Sequence, residues 1–173
     1  MTSIAQIDIS DDKTAQAYIL PLIERSPDIA ERVAAQRPFR TATKLAAVIQ
    51  KELVRLGDDE TIQLFCAHPE LAPDNPSAMT AESQSEQGRL NLTDSVGDER
   101  NRISELNVSY REKFGFPFIT AVFRHEDMAS VLAEFEDRLT GDKSTEIKTA
   151  LDHIIAIMRS RVENSFGKSG NGA

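Results

Sequence analysis

Three histidines, one cysteine and scattered carboxylates supply most of the reactive groups in this chain of 173 residues. His68 closes an apolar helical stretch and is followed by Pro69. An imidazole titrates near neutral pH, so a fixed one can act as general acid or base. The plainer role at a helix C-terminus is bonding to the last carbonyls, where positive charge suits the helix dipole. Cys66 lies two residues earlier, a spacing that puts two helical side chains on different faces. A Cys–His nucleophilic pair is therefore disfavoured, and Cys66 reads as a small buried apolar residue. His68, His125 and His153 show no i, i+4 pairing and no zinc spacing, so no metal site is expected. The sequence has no Gly-rich phosphate loop, no dinucleotide fingerprint and no Gly-x-Ser-x-Gly elbow, so no cofactor is expected either.

Other groups gain meaning from spacing. Ser83, Glu86 and Gln87 stand at i, i+3 and i+4, so one helix face presents a hydroxyl, a carboxylate and an amide. That face is either solvated or able to grip a small molecule rich in N–H and C=O groups. Phe114-Gly115-Phe116-Pro117-Phe118 puts three aromatics in five residues. It reads as a core plug, or as a rigid apolar wall whose backbone N–H groups face a ligand. Near the C-terminus, Arg161 lies roughly 60–70° from the centre of its helix's apolar stripe and Arg159 about 95° from it. Arg161 is the better placed to reach inward; the alternative for both is snorkelling at the stripe border.

The elements that must position these groups are helical. Residues 13–24 carry Ala15, Tyr18, Ile19 and Leu22 at helical spacing, with a kink or break at Pro21. Ser26 and Pro27 suit the cap and first position of a helix over about 27–36. A helix from Thr41 to Leu56 meets Gly57 as a stop, and a shorter one over 58–67 ends at His68-Pro69. Residues 72–80 form a loop, 80–90 a helix, 91–98 a break and 98–113 a helix with Ile103, Leu106 and Tyr110 inward. Two amphipathic helices follow, one with Met128, Val131, Leu132, Phe135 and Leu139 before Gly141, the other with Ile147, Leu151, Ile154, Met158 and Val162. Phe118 to Phe123 has strand propensity, but a lone strand has no partner for its backbone groups. It reads as an extended turn or helix start. The expectation is one all-α domain of about eight helices over residues 1–166, with residues 167–173 a disordered tail.

Composition narrows the function classes. Net charge is −8, from 20 Lys and Arg against 28 Asp and Glu, with no basic cluster. Nucleic-acid binding is not expected, because it needs a basic stripe to neutralise phosphates. No apolar run approaches the roughly 20 residues that span a bilayer, so no membrane partner is expected. One cysteine, no basic–apolar opening and an Asn171-Gly172-Ala173 end fit a cytoplasmic protein.

Several blocks in order carry a resemblance. They are Ile19-Leu20-Pro21-Leu22-Ile23-Glu24-Arg25-Ser26-Pro27, Ala67-His68-Pro69-Glu70-Leu71-Ala72, Ser83-Gln84-Ser85-Glu86-Gln87 and Leu106-Asn107-Val108-Ser109-Tyr110-Arg111. Phe114-Gly115-Phe116-Pro117-Phe118-Ile119, Phe135-Glu136-Asp137-Arg138-Leu139 and Arg161-Val162-Glu163-Asn164 complete them. Over about residues 13–165 the chain resembles the 2-oxo-4-hydroxy-4-carboxy-5-ureidoimidazoline (OHCU) decarboxylase family of uric acid degradation. The resemblance implies an all-helical, cofactor-free enzyme, usually a homodimer, that converts OHCU to (S)-allantoin. It implies catalytic roles for His68 as proton donor, Glu86 as the group orienting the substrate hydroxyl, and Arg161. It implies substrate contacts from Pro69, Ser83, Gln84, Ser85 and Gln87, and from the backbone of Phe118, Ile119, Thr120, Ala121 and Val122. The loop after Ala72 opens with Pro73 where the family often has glycine. Two other readings stand beside this one: a non-catalytic helical interaction module, and a lyase for a related ureido or imidazoline acid.

Overall fold

The computed structural model describes residues 3–90 and 97–167. Among them are nine α-helices and no strand: α1 (Ile4–Ile9), α2 (Asp12–Ile19), α3 (Pro27–Ala34), α4 (Ala42–Val54), α5 (Asp58–Ala67), α6 (Ala81–Gly88), α7 (Asp98–Phe114), α8 (Met128–Thr140) and α9 (Lys143–Phe166). Three 3-10 turns join them, at Leu20–Ile23, Pro76–Ala78 and Val122–Arg124. The all-α class is as the periodicity predicts. Part of the 91–98 break and of the tail expected at 167–173 lies outside the described residues.

The chain divides into two compact units, Met1–Thr61 with Ile155–Ala173, and Ile62–Ile154. In the first, α1 packs on α2, α2 on α3 and α3 on α4. The sequence reading has no α1. Six residues are too few to show a period, yet Ser3 and Gln6 form a reciprocal capping box that holds its start. Arg37 donates to the Ile7 and Ser10 carbonyls at 3.3 and 2.6 Å and pairs with Asp12. Asp8 accepts from the Phe39 and Arg40 N–H groups at 2.7 and 2.8 Å. Pro21 breaks α2 as expected, and the chain continues as the 3-10 turn.

Two caps differ from expectation. Ser26 makes no side-chain cap bond, and Pro27 alone preorganises the start of α3. Gly57 does not stop α4, which ends at Val54 with Arg55 still right-handed. The Gly57 carbonyl instead accepts from Thr61 N–H at 2.9 Å, opening α5. Ile19, Val33, Leu45, Ile49 and Leu53 are fully buried in this unit, each worth about 1.5–3 kcal/mol of transfer free energy.

In the second unit α7 packs on α8. The α7 helix ends at Gly115, whose φ of +85° is the left-handed cap glycine adopts without steric cost. Its N–H returns to the Arg111 carbonyl at 2.8 Å. The chain then turns back through Phe116 and Phe118, which are buried with Phe114. Tyr110 meets Phe114 at 4.6 Å and Phe118 at 5.4 Å between centroids, and Phe118 stacks on Phe135 at 3.9 Å. Such pairs contribute about 0.5–1.5 kcal/mol each beyond area burial. The aromatic side chains thus form a core plug. No helix among the described residues is long and apolar enough to cross a membrane.

Candidate functional site

His68 stands one residue past α5. Thr61, Leu64, Phe65 and His68 are buried at i, i+3, i+4 and i+7, so the imidazole continues the helix's inward stripe. Its Nδ1 lies 3.0 Å from the Leu64 carbonyl, the C-terminal bond expected of a helix-ending histidine. That bond puts a proton on Nδ1 and holds the ring in one orientation. Cys66 is exposed rather than buried. Leu64 and Phe65 occupy the inward face, and the next residue, about 100° further round, points outward.

The backbone after His68 is clamped to α6. Gln87 accepts from Ala72 N–H at 2.9 Å and donates to the Glu70 carbonyl at 2.8 Å. Asn107 on α7 donates to the Leu71 carbonyl at 2.9 Å. Thr80 caps α6 through Ser83 N–H. On that helix Ser83 and Gln87 are buried, Glu86 is half-buried, and Gln84 and Ser85 face outward. The polar face read from the spacing is therefore the inward face of α6. Gln87 spends one donor and one acceptor on the turn that carries Pro69, so it holds the protein before it holds anything else. Just past α6, Arg89 donates to the Phe123 and His125 carbonyls at 3.2 and 3.0 Å. Helix α6 thus joins the His68 turn to the segment around residues 118–125.

Phe118, Ile119, Thr120, Ala121 and Val122 are each at most 5% exposed. The segment runs extended and then enters the 3-10 turn at Val122, as an isolated stretch of strand propensity must. Side chains from α8, α9 and the following turn fix it. Arg138 donates to the Ile119 carbonyl at 2.9 Å. Ala121 N–H donates to His153 Nδ1 at 3.0 Å. The Thr120 hydroxyl donates to Glu134 at 2.8 Å and lies 3.0 Å from His125 Nε2. Among the described residues, Ile119 and Thr120 N–H have no backbone acceptor.

Glu134 is the hub of this cluster. His153 Nε2 and Arg138 reach one of its oxygens at 2.9 and 2.8 Å, and His125 Nε2 reaches the other at 2.7 Å. Burial alone would raise its pKa, but the bonds from His153, Arg138 and Thr120 outweigh it and hold the carboxyl well below the usual carboxylate range. Arg138 also pairs with buried Glu146, which Tyr110 bonds through its hydroxyl. Burial works against the Arg138 charge, and the partners more than offset it. Burial, helped by Glu146, pushes the Tyr110 hydroxyl far above the usual tyrosine range. Sequence reasoning missed this cluster because Glu134 and Arg138 at i, i+4 look like a solvated rung. The signal was there: Val131, Phe135 and Arg138 share the buried stripe of α8. Among the described residues no three His, Cys, Asp or Glu side chains gather as metal ligands would.

In the first unit, Arg161 is 4% exposed and pairs with Glu24, itself 2% exposed, at 2.9 Å. It also donates to the Pro21 carbonyl at 3.1 Å. Arg159 is exposed and donates to Gln50 at 2.6 Å. The stripe geometry ranked the two arginines correctly. Glu24 has φ +48° and ψ −169°, a region that costs a side-chain-bearing residue about 1–3 kcal/mol and persists only where surroundings enforce it.

The chain is 31% identical over 164 residues to the 2-oxo-4-hydroxy-4-carboxy-5-ureidoimidazoline decarboxylase of Haloferax volcanii, covering 95% of this chain and 96% of that one. It is 36% identical over 158 residues to the protein of the same name from Mus musculus, covering 88% and 86%. The fold matches a crystal structure of (S)-allantoin synthase with TM-score 0.75 and 22% identity, over 96% of this chain, which spans about half (54%) of that longer one. It also matches a crystal structure of OHCU decarboxylase determined with (S)-allantoin, with TM-score 0.70 and 18% identity, over 92% of this chain and 100% of that one. A model of the OHCU decarboxylase family matches residues 9–163, a span that takes in His68, Glu86, the 118–122 segment and Arg161, and the chain belongs to that family.

Proposed function

We propose that the protein decarboxylates OHCU to (S)-allantoin in uric acid degradation. The observation that carries this reading is the family match across residues 9–163. Breaking the bond from ring carbon to carboxylate releases CO2 and leaves an electron pair on the ring, shared with the adjacent C=N group. The hydroxyl-bearing carbon becomes a carbonyl and gives up its hydroxyl proton, while the nitrogen of the former C=N and the ureido-bearing carbon each gain a proton. One proton is consumed overall for each carboxylate lost. A single acid fixed on one face gives that proton a handedness, and His68 is assigned this role. Glu86 orients the substrate hydroxyl. Arg161, oriented by Glu24, supplies positive charge for the anion, and N–H donors of the 118–122 segment stabilise charge developing on the ring. Pro69, Ser83 and Gln87 complete the substrate contacts, whereas Gln84 and Ser85, which face outward on α6, are left out of the set. No step requires a cofactor, and the working form is a cytoplasmic homodimer.

Freshly generated OHCU, followed for both rate of loss and handedness of product, tests the reading. Accelerated loss with an excess of (S)-allantoin supports it. Racemic product at the spontaneous rate removes it and leaves the helical interaction module. Turnover of a different ureido acid in preference to OHCU favours the related lyase. Light scattering at a mass of two chains checks the homodimer, and a single-chain mass rejects it.

A further inference from the structure

The backbone of the 118–122 segment is held by two bonds whose directions have a consequence. A trans peptide points its C=O and the next N–H in opposite directions. Arg138 takes the Ile119 carbonyl at 2.9 Å, so the Thr120 N–H of the same peptide points away from Arg138. His153 Nδ1 takes the Ala121 N–H at 3.0 Å, so the Thr120 carbonyl of that peptide points away from His153. Arg138 and His153 both bond the same oxygen of Glu134, at 2.8 and 2.9 Å. Both anchors therefore lie on one side of the segment, and the Thr120 N–H and C=O turn together to the other. One donor beside one acceptor is the complement of an amide or ureido edge, which carries one of each.

The tautomer of His153 is part of the device. To accept from Ala121 N–H, Nδ1 must carry a lone pair, and the proton must sit on Nε2. Glu134, an acceptor on the Nε2 side, enforces that choice. The Thr120 hydroxyl and His125 hold the other Glu134 oxygen, so the carboxylate cannot swing away without losing them.

We propose that His153 is a positioning residue for the decarboxylation: by accepting the Ala121 N–H while donating to Glu134, it presents the backbone N–H and C=O of Thr120 as a paired edge for the substrate's ureido group. The proposal rests on the reading of the protein as an OHCU decarboxylase. It assigns His153 no contact with the substrate. Its work is to set the direction of two peptide planes.

Three variants separate acceptor from donor. The Oδ1 of His153→Asn can take the place of Nδ1 and accept the Ala121 N–H without reaching Glu134. The amide of His153→Gln reaches the Nε2 position toward Glu134, and His153→Leu offers neither. The expected result is kcat/KM within about threefold of wild type for Asn. For Gln and Leu, a rise in KM and a loss of about 10- to 100-fold in kcat/KM are expected, with a lower excess of (S)-allantoin. Wild-type kinetics and handedness in His153→Leu overturn the proposal. So does failure of His153→Asn equal to that of His153→Leu when circular dichroism shows all three folded. Nitrogen NMR of the wild-type imidazole gives a readout independent of turnover. A protonated Nε2 and bare Nδ1 are expected, and a protonated Nδ1 overturns the proposal. A wild-type protein with the expected tautomer and no action on OHCU removes the functional reading instead.

Discussion

At the scale of single residues, the buried charges carry the sharpest expectations. Glu134 has its folded pKa held below the ordinary carboxylate value of 4.5. Its stabilising contribution is therefore complete above about pH 4.5 and drains as pH falls toward the folded value. Urea midpoints should stay level from about pH 7 to 5 and drop below pH 4.5, and Glu134→Gln should make that drop shallower. An acid limb of unchanged steepness in the variant would count against Glu134 as a main contributor. Glu24 and Arg161 form a buried ion pair, and removing Glu24 takes a charged partner from a buried guanidinium. Glu24→Ala should cost about 3–5 kcal/mol in denaturant unfolding. A loss under about 1 kcal/mol would mean that water or another group takes over the guanidinium.

Elements show how much of the molecule can be read in advance. The limits of α5 follow from composition: three acidic residues in its first turn suit the helix dipole, and His68-Pro69 ends it. The strand-prone stretch after Phe118 is legible as non-strand, because a helical chain offers its backbone no ladder. Helix α1 is not legible by periodicity, since only its capping box marks it. The Gly57 role reverses because a glycine between two helices serves either end equally well in sequence. The site is legible to the same extent. The shared face of Ser83, Glu86 and Gln87 follows from spacing, but its inward direction and that of His68 come from burial. Of the cluster around Glu134 only Arg138 is legible, from the stripe it shares with Val131 and Phe135, because the other partners lie on separate elements.

Two substitutions test these element-level claims. Gly115→Ala must place a Cβ at φ +85°, where the nearest outside atom is the Lys143 Nζ at 3.8 Å. The cost is conformational rather than steric, about 1–2 kcal/mol, read as a Tm lower by several degrees with little change in KM. Gln87→Leu strips the Ala72 N–H and Glu70 carbonyl of their partner. It should cost about 1–3 kcal/mol and lower kcat by loosening the turn that follows His68. Unchanged Tm and kcat together would show that the clamp is dispensable.

For the whole molecule, an acidic charge of −8 coexists with function directed at an anion. The reason is local: Arg161 and Arg138 are buried in fixed partnerships, so the fields that matter are set by a few groups rather than by the total. Each compact unit carries such a charge network, one around Arg161 and one around Glu134. What the sequence alone could reveal was the family's order of motifs; which residues support those motifs emerged only from the hydrogen bonds.

The proposed delivery of the handedness-setting proton by His68 stands or falls with His68→Asn. Asparagine keeps the volume and a polar tip but has no proton to give near neutral pH. With pure OHCU under identical conditions, the expected result is a loss of about 100- to 10,000-fold in kcat, the usual worth of a positioned acid, with product approaching a racemate. Wild-type kcat with (S)-allantoin still in full excess would contradict the assignment.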